Sequence, residues 1–210
     1  HQALPVGDTV KFSMTGKLPV RFDEVLEGAG FGQDNGDLVR VETLPDIVGP
    51  GMRMLVCGLN PSPHAAESGV GFSRPGNRFW PAALATGIAT TDRDPARALL
   101  EHGVGFTDMV KRTTKRAEEL TAKEYQAGHS RLERLVGWLE PTALLMVGLT
   151  GWRQATSTKA VAGWQPERLG AVPVYVMPNT SGLNAHETAE SLAEHLRLAQ
   201  LEPPLADLVG

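Results

Sequence analysis

Three short apolar runs, each delivered straight into a polar turn, constrain this chain more than any other feature. Met54-Leu55-Val56-Cys57 leads into Gly58-Leu59-Asn60-Pro61, and Leu144-Leu145-Met146-Val147 leads into Gly148-Leu149-Thr150-Gly151. Val172 to Met177 leads into Pro178-Asn179-Thr180-Ser181-Gly182. A strand with one wet face alternates apolar and polar residues, so unbroken apolar runs bounded by Gly or Pro imply burial on both faces, as in a parallel sheet between helices. Helical patterns fill the intervals. Asp94 is placed to cap a helix with Pro95 at its first position and Gly103 beyond its end. Thr121 to Glu124 reads as a capping box, followed by Leu132, Leu135, Val136 and Leu139 on one face until Pro141. Asn184-Ala185-His186-Glu187 repeats the signal before a last helix with Leu192, Ala193 and Leu196 facing inward. The alternation predicts an α/β fold, a three-layer sandwich with a mainly parallel central sheet flanked by helices. In such sheets ligands bind outside the carboxyl ends of the strands, where the turns at Gly58 and Pro178 emerge.

At 210 residues, with 41% hydrophobic and 21% charged, the chain can bury a core without disulfides or a structural metal. Residues 1–13 have little periodicity, and Met14 reads as a natural start after a leader or an appended segment, with 14–210 as a single domain. The one cysteine, Cys57, excludes an intrachain disulfide and reads as a buried strand residue. No apolar stretch reaches the roughly 18 residues of a membrane span. The expectation is a cytoplasmic protein, nucleoid-associated if bacterial, with no membrane partner. His64, His102, His129, His186 and His195 show no metal-ligand spacing.

A net charge of −4 argues only weakly against a nucleic-acid partner, because phosphate contacts depend on the local face. The positive charge is clustered in Lys111-Arg112-Thr113-Thr114-Lys115-Arg116, and Arg74 and Arg78 flank a Gly-Asn pair. Read alone, the basic run is a solvated loop.

The most informative segment runs from Gly58-Leu59-Asn60-Pro61-Ser62 through Gly71-Phe72-Ser73-Arg74-Pro75-Gly76-Asn77-Arg78-Phe79-Trp80. A strand delivers the Asn60 amide to the sheet edge, Pro61 fixes the exit, and a glycine-containing loop presents Phe72 before a helix starting near Asn77. Alone, such an Asn is a turn former and such a Phe is core. Together these residues resemble the first active-site motif of the mismatch-specific uracil/thymine DNA glycosylases, a branch of the uracil-DNA glycosylase superfamily. A second match is Met177 to Asn184, which resembles that family's duplex-entering wedge. Other branches often carry His where Asn179 stands. The resemblance spans roughly residues 45 to 200 and implies a uracil-DNA glycosylase-like fold.

The resemblance implies a base-excision repair enzyme that flips uracil, thymine or another modified pyrimidine out of mismatched duplex DNA and hydrolyses its N-glycosidic bond. The partner it implies is double-stranded DNA, met by a monomer, and the scheme requires no metal or organic cofactor. Leu59, Phe72, Ser73 and Asn77 are the expected base-binding residues. Asn179, Ser181, Gly182, Leu183 and Asn184 form the wedge, with Leu183 occupying the vacated space. Arg74, Lys111, Arg112 and Lys115 are the expected phosphate contacts. Asn60 is a candidate catalytic residue that positions water, since an amide takes up no proton at neutral pH. The second is Asp108, in Gly103-Val104-Gly105-Phe106-Thr107-Asp108, read as a loop bordering the pocket. Here the chain departs from well-known members, which carry a non-acidic residue, and a carboxylate would supply a proton acceptor. The rivals are a nucleotide-binding α/β protein, against which stand the missing Gly-x-Gly-x-x-Gly and P-loop patterns, and a damage binder with little catalysis.

Overall fold

The structure, a computed structural model, describes residues 4–11 and 21–203. The suggested start at Met14 lies outside the described residues. Strand β1 (Thr9–Val10), helix α1 (Phe22–Ala29) and strands β2 (Phe31–Asp34) and β3 (Asp37–Arg40) come first, and the strands form a small antiparallel sheet in the order β1-β3-β2. The main sheet begins with β4 (Met54–Gly58), followed by α2 (Pro63–Ser68), α3 (Phe79–Ala85), α4 (Pro95–His102) and β5 (Val104–Asp108). After a 3-10 turn at Ala117–Glu119 come α5 (Ala122–Leu139), β6 (Leu144–Val147), α6 (Leu149–Ala155), β7 (Gly163–Trp164), β8 (Val174–Met177) and α7 (Ala189–Ala199). Among the described residues no helix is long and apolar enough to cross a membrane.

The unbroken apolar runs have the predicted cause. Met54 and Val56, Leu145 and Val147, and Tyr175 and Met177 face a core shared with Phe79 and Trp80 of α3, Ala98 of α4 and Leu192 and Leu196 of α7. Their neighbours Leu55 and Cys57, Leu144 and Met146, and Val174 and Val176 face a second core built with Leu132, Leu135 and Val136 of α5 and Trp152 of α6. Each strand side chain thus loses water on one face or the other, at roughly 1.5–3 kcal/mol per large apolar group. Three layers result.

The sheet order is β5-β4-β6-β8-β7, with all pairs parallel except β7 against β8. From β4 the chain moves outward to β5, then crosses back to β6 on the other side. The order therefore reverses at β4, and the connections leaving β4 and β6 diverge. Such a switch point opens a crevice beyond the carboxyl ends of the two strands.

Two boundaries differ from the sequence expectation. Residues 104–108 form an edge strand rather than a loop, in register from Met54↔Val104 to Gly58↔Asp108. Gly105 serves close packing there, since a Cβ would collide with Met52 Sδ. The last helix starts at Ala189, capped by Thr188 and Ser191, not at the Asn184–Glu187 signal. Arg78 is the reason: its guanidinium binds the carbonyls of Ser181 (2.8 Å), Asn184 (2.6 Å) and Glu187 and holds them out of helical geometry.

Candidate active site

A cavity of about 670 Å³ occupies the switch-point crevice, within the size range of small-molecule sites. Asn60, Phe72, Asp108 and Leu183, which come from four separate stretches of sequence, all line it. Gly58 ends β4 at its floor. A Cβ there would collide with Asp108 Oδ1 and lie 3.4 Å from Phe72 Cζ, so only glycine lets the carboxyl and the ring converge.

Leu59 packs its side chain against Gly148 and Gly151 and anchors the loop to α6. Asn60 is fixed by its donors. Its Nδ2 gives hydrogen bonds to Arg112 O at 2.9 Å and to Thr114 Oγ1 at 2.7 Å. The Thr114 hydroxyl donates onward to Arg116 O, so it must accept from Asn60. That assigns the amide's orientation and leaves Oδ1 as the acceptor available to the cavity.

Phe72 adopts a left-handed backbone, φ 57°, which a bulky residue rarely accepts without support. The support is aromatic. Its ring stacks on Phe79 at 4.4 Å, and Trp80 Nε1 donates to Gly71 O at 2.8 Å. Phe79 thus backs the ring while Phe72 remains part of the cavity wall. Ser73 is buried, with its hydroxyl donating to Val70 O at 2.7 Å. Asn77 Oδ1 accepts from Phe79 N and starts α3. Both residues shape the loop, and both also line the cavity.

Asp108 is 6% exposed, and its Oδ2 is buried without a hydrogen-bond partner. Burial raises its pKa to about 6, with Asp46 adding to the rise while Lys111 and Arg131 oppose it. A cavity carboxyl that titrates near pH 6 is mostly ionised at neutral pH and is suited to accepting a proton.

The opposite wall is the loop between β8 and α7. Asn179 Oδ1 accepts from Ser181 N, and Asn184 Nδ2 donates to Asn179 O, both at 2.8 Å. Gly182 approaches Gly76 so closely that a Cβ would stand 2.7 Å from its carbonyl oxygen. This frame leaves Leu183 83% exposed, an apolar side chain pushed into water by a rigid loop.

The basic run divides. Arg74 and Lys115 are exposed at the cavity rim, and Arg116, not singled out for DNA contact from the sequence, joins them. Arg112 is ion-paired with Glu124 at 2.5 Å. Lys111 does not fit a phosphate contact: its side chain is only 9% exposed, and its ammonium binds Asp46 Oδ1 at 2.8 Å and Leu44 O. Lys111 is an interior cation. Thr114, Asp46 and Arg131 were also beyond sequence reading, because no local pattern joins them to the motifs. Arg78 reads in the sequence only as clustered charge, whereas its guanidinium shapes the loop.

The family model of the uracil DNA glycosylase superfamily matches residues 45–202, a span that opens just before Asp46 and contains all of α7 and every residue lining the cavity except Leu44.

Proposed function

Because the chain belongs to the uracil DNA glycosylase superfamily, we propose that it removes uracil from mismatched duplex DNA, leaving an abasic site. Thymine and modified pyrimidines opposite guanine are the further substrates of this reading. The observation that carries it is the convergence on one cavity of an unpartnered carboxyl, an oriented amide acceptor, a backed aromatic ring and an exposed leucine.

The flipped pyrimidine stacks on Phe72, and Leu183 enters the duplex to fill the gap. As the C1′–N1 bond breaks, its electron pair leaves with the base and the sugar gains oxocarbenium character. Asn60 Oδ1 holds a water. That water's oxygen bonds to C1′ as its proton passes to Asp108, whose negative charge also steadies the cationic sugar. Such proton acceptance is typically worth roughly 10²–10⁴-fold in rate. Arg74, Lys115 and Arg116 meet phosphates at the rim.

Incubation of the protein with end-labelled duplexes carrying G:U, G:T or A:U, followed by strand scission at abasic sites, tests the proposal. Cleavage of G:U ahead of A:U supports a mismatch enzyme. Equal cleavage removes mismatch preference, and no cleavage with retained duplex binding makes the protein a damage binder.

A further inference from the structure

The inward turn of Lys111 places it in a buried cluster beside the proposed proton acceptor. Asp46 is the hub. Lys111 Nζ donates to its Oδ1 at 2.8 Å, Thr107 Oγ1 donates to the same oxygen at 2.7 Å, and Arg131 pairs with its Oδ2. The side chains of Asp46 and Arg131 are 4% and 6% exposed. Arg131 also donates to the main-chain oxygen of Asp108 and to Thr107 Oγ1, each at 3.2 Å. Helix α5 therefore clamps the residue that carries the cavity carboxyl.

The buried charges are two and two: Lys111 and Arg131 against Asp46 and Asp108. Asp46 is fully bonded to both cations, whereas Asp108 Oδ2 is bonded to nothing. Lys111 has no anionic partner among the described residues except Asp46, which it shares with Arg131, so with Asp108 neutral its charge is only partly matched. Ionised, Asp108 matches it through space. Cys57 of β4, whose thiol burial keeps protonated, also faces Asp108, and Glu27 of α1 reaches Arg131 Nε at 3.3 Å from the surface. Arg74, Lys115, Arg116, Glu118 and Glu187 stand around the cavity, where solvent screens them.

We propose that Lys111, Asp46 and Arg131 are positioning residues that set the charge of Asp108: Lys111 supplies the cation that lets it ionise out of water, Asp46 meters that cation, and Arg131 fixes the peptide. This rests on Asp108 accepting the proton as proposed above. The pKa of Asp108 moves with each neighbour in the required sense, downward by Lys111 and Arg131 and upward by Asp46, against the larger effect of burial.

Two measurements test it: single-turnover uracil excision from a G:U duplex between about pH 5 and 9, and carbon-13 titration of the Asp108 carboxyl, assigned by its loss in Asp108→Asn. Lys111→Met should raise both midpoints by about one pH unit or more, Lys111→Arg should restore them, and Asp46→Asn should lower them. Opposite shifts separate charge setting from support of the fold, which would lose rate at every pH in both variants. An unchanged carboxyl midpoint in folded Lys111→Met overturns the proposal, and Lys111→Gln replaces that variant should it not fold. Excision that survives Asp108→Asn refutes the proton-acceptor role alone, and the carboxyl titration still decides the charge setting.

Discussion

Asp108 is held out of water with its Oδ2 unbonded, and its pKa stands at about 6 against an ordinary 3.8. A carboxyl whose folded pKa is raised stabilises the fold fully below the unfolded pKa, and that contribution is lost as pH rises through the folded one. The wild type should therefore weaken between about pH 4 and pH 7, by at most about 3 kcal/mol for a two-unit shift. Asp108→Asn removes the charge at similar volume. It should lose roughly 10²–10⁴-fold in excision yet unfold at higher urea than wild type at neutral pH, the difference vanishing in acid. Equal urea midpoints at neutral pH would mean that the cations already compensate the buried charge. Asn60→Ala keeps the carboxylate, so residual single-turnover excision is expected, and a dead Asn60→Ala beside an active Asp108→Asn would reverse the two roles. That Asn60, Phe72 and Leu183 share one cavity is legible in the sequence because each sits in a motif a few residues long. Lys111 was misread because its partner Asp46 lies 65 positions away, and a basic run looks solvated until that partner is found.

The elements that present these residues are set by close approaches. The 178–188 loop is held open by Arg78 and lies against the 73–77 loop at Gly182, so Leu183 contributes no core burial. Leu183→Ala should change stability by less than about 0.5 kcal/mol, as exposed positions do. Excision from duplex G:U should nevertheless fall at least about tenfold, since the side chain offsets a few kcal/mol of unstacking, while excision from single-stranded uracil stays unchanged. A falling melting temperature, or equal loss on both substrates, would return Leu183 to the core. Helix α5 offers the contrasting case. A Cβ at Gly128 would lie 2.6 Å from Met109 O, so this helix touches the end of β5 one turn before Arg131. Gly128→Ala should cost about 1–3 kcal/mol, typical of overpacking, and should slow excision by shifting Asp108. Unchanged stability in that variant would mean the contact is slack. Strand β5 escaped the sequence reading because Gly103 and Gly105 mimic a loop, although one ends α4 and the other admits Met52. The sequence places the last helix too early, at 184–187, because a capping pattern cannot reveal a distant arginine holding its carbonyls.

Across the whole molecule the layer order followed from two-sided burial, whereas the antiparallel sheet of β1, β2 and β3 did not, its strands being only two to four residues long. Global charge was no better guide to the partner. The net −4 is an average over a surface whose cavity rim carries Arg74, Lys115 and Arg116, none of them in an ion pair among the described residues. Each phosphate neutralised by such a cation releases a counterion, so duplex affinity should fall linearly in log–log form with salt. Lys115→Ala should lower the slope by about one. Arg112→Ala should change it less, because Glu124 already holds that guanidinium, and Lys111→Met should leave it unchanged, its ammonium being buried. Fluorescence anisotropy of a labelled G:U duplex at several salt concentrations reads all three. A flat response in the wild type would remove DNA as the partner, whereas a slope lost with Arg112 and kept without Lys115 would move the phosphate track away from the cavity rim to the Arg112–Glu124 pair at the start of α5.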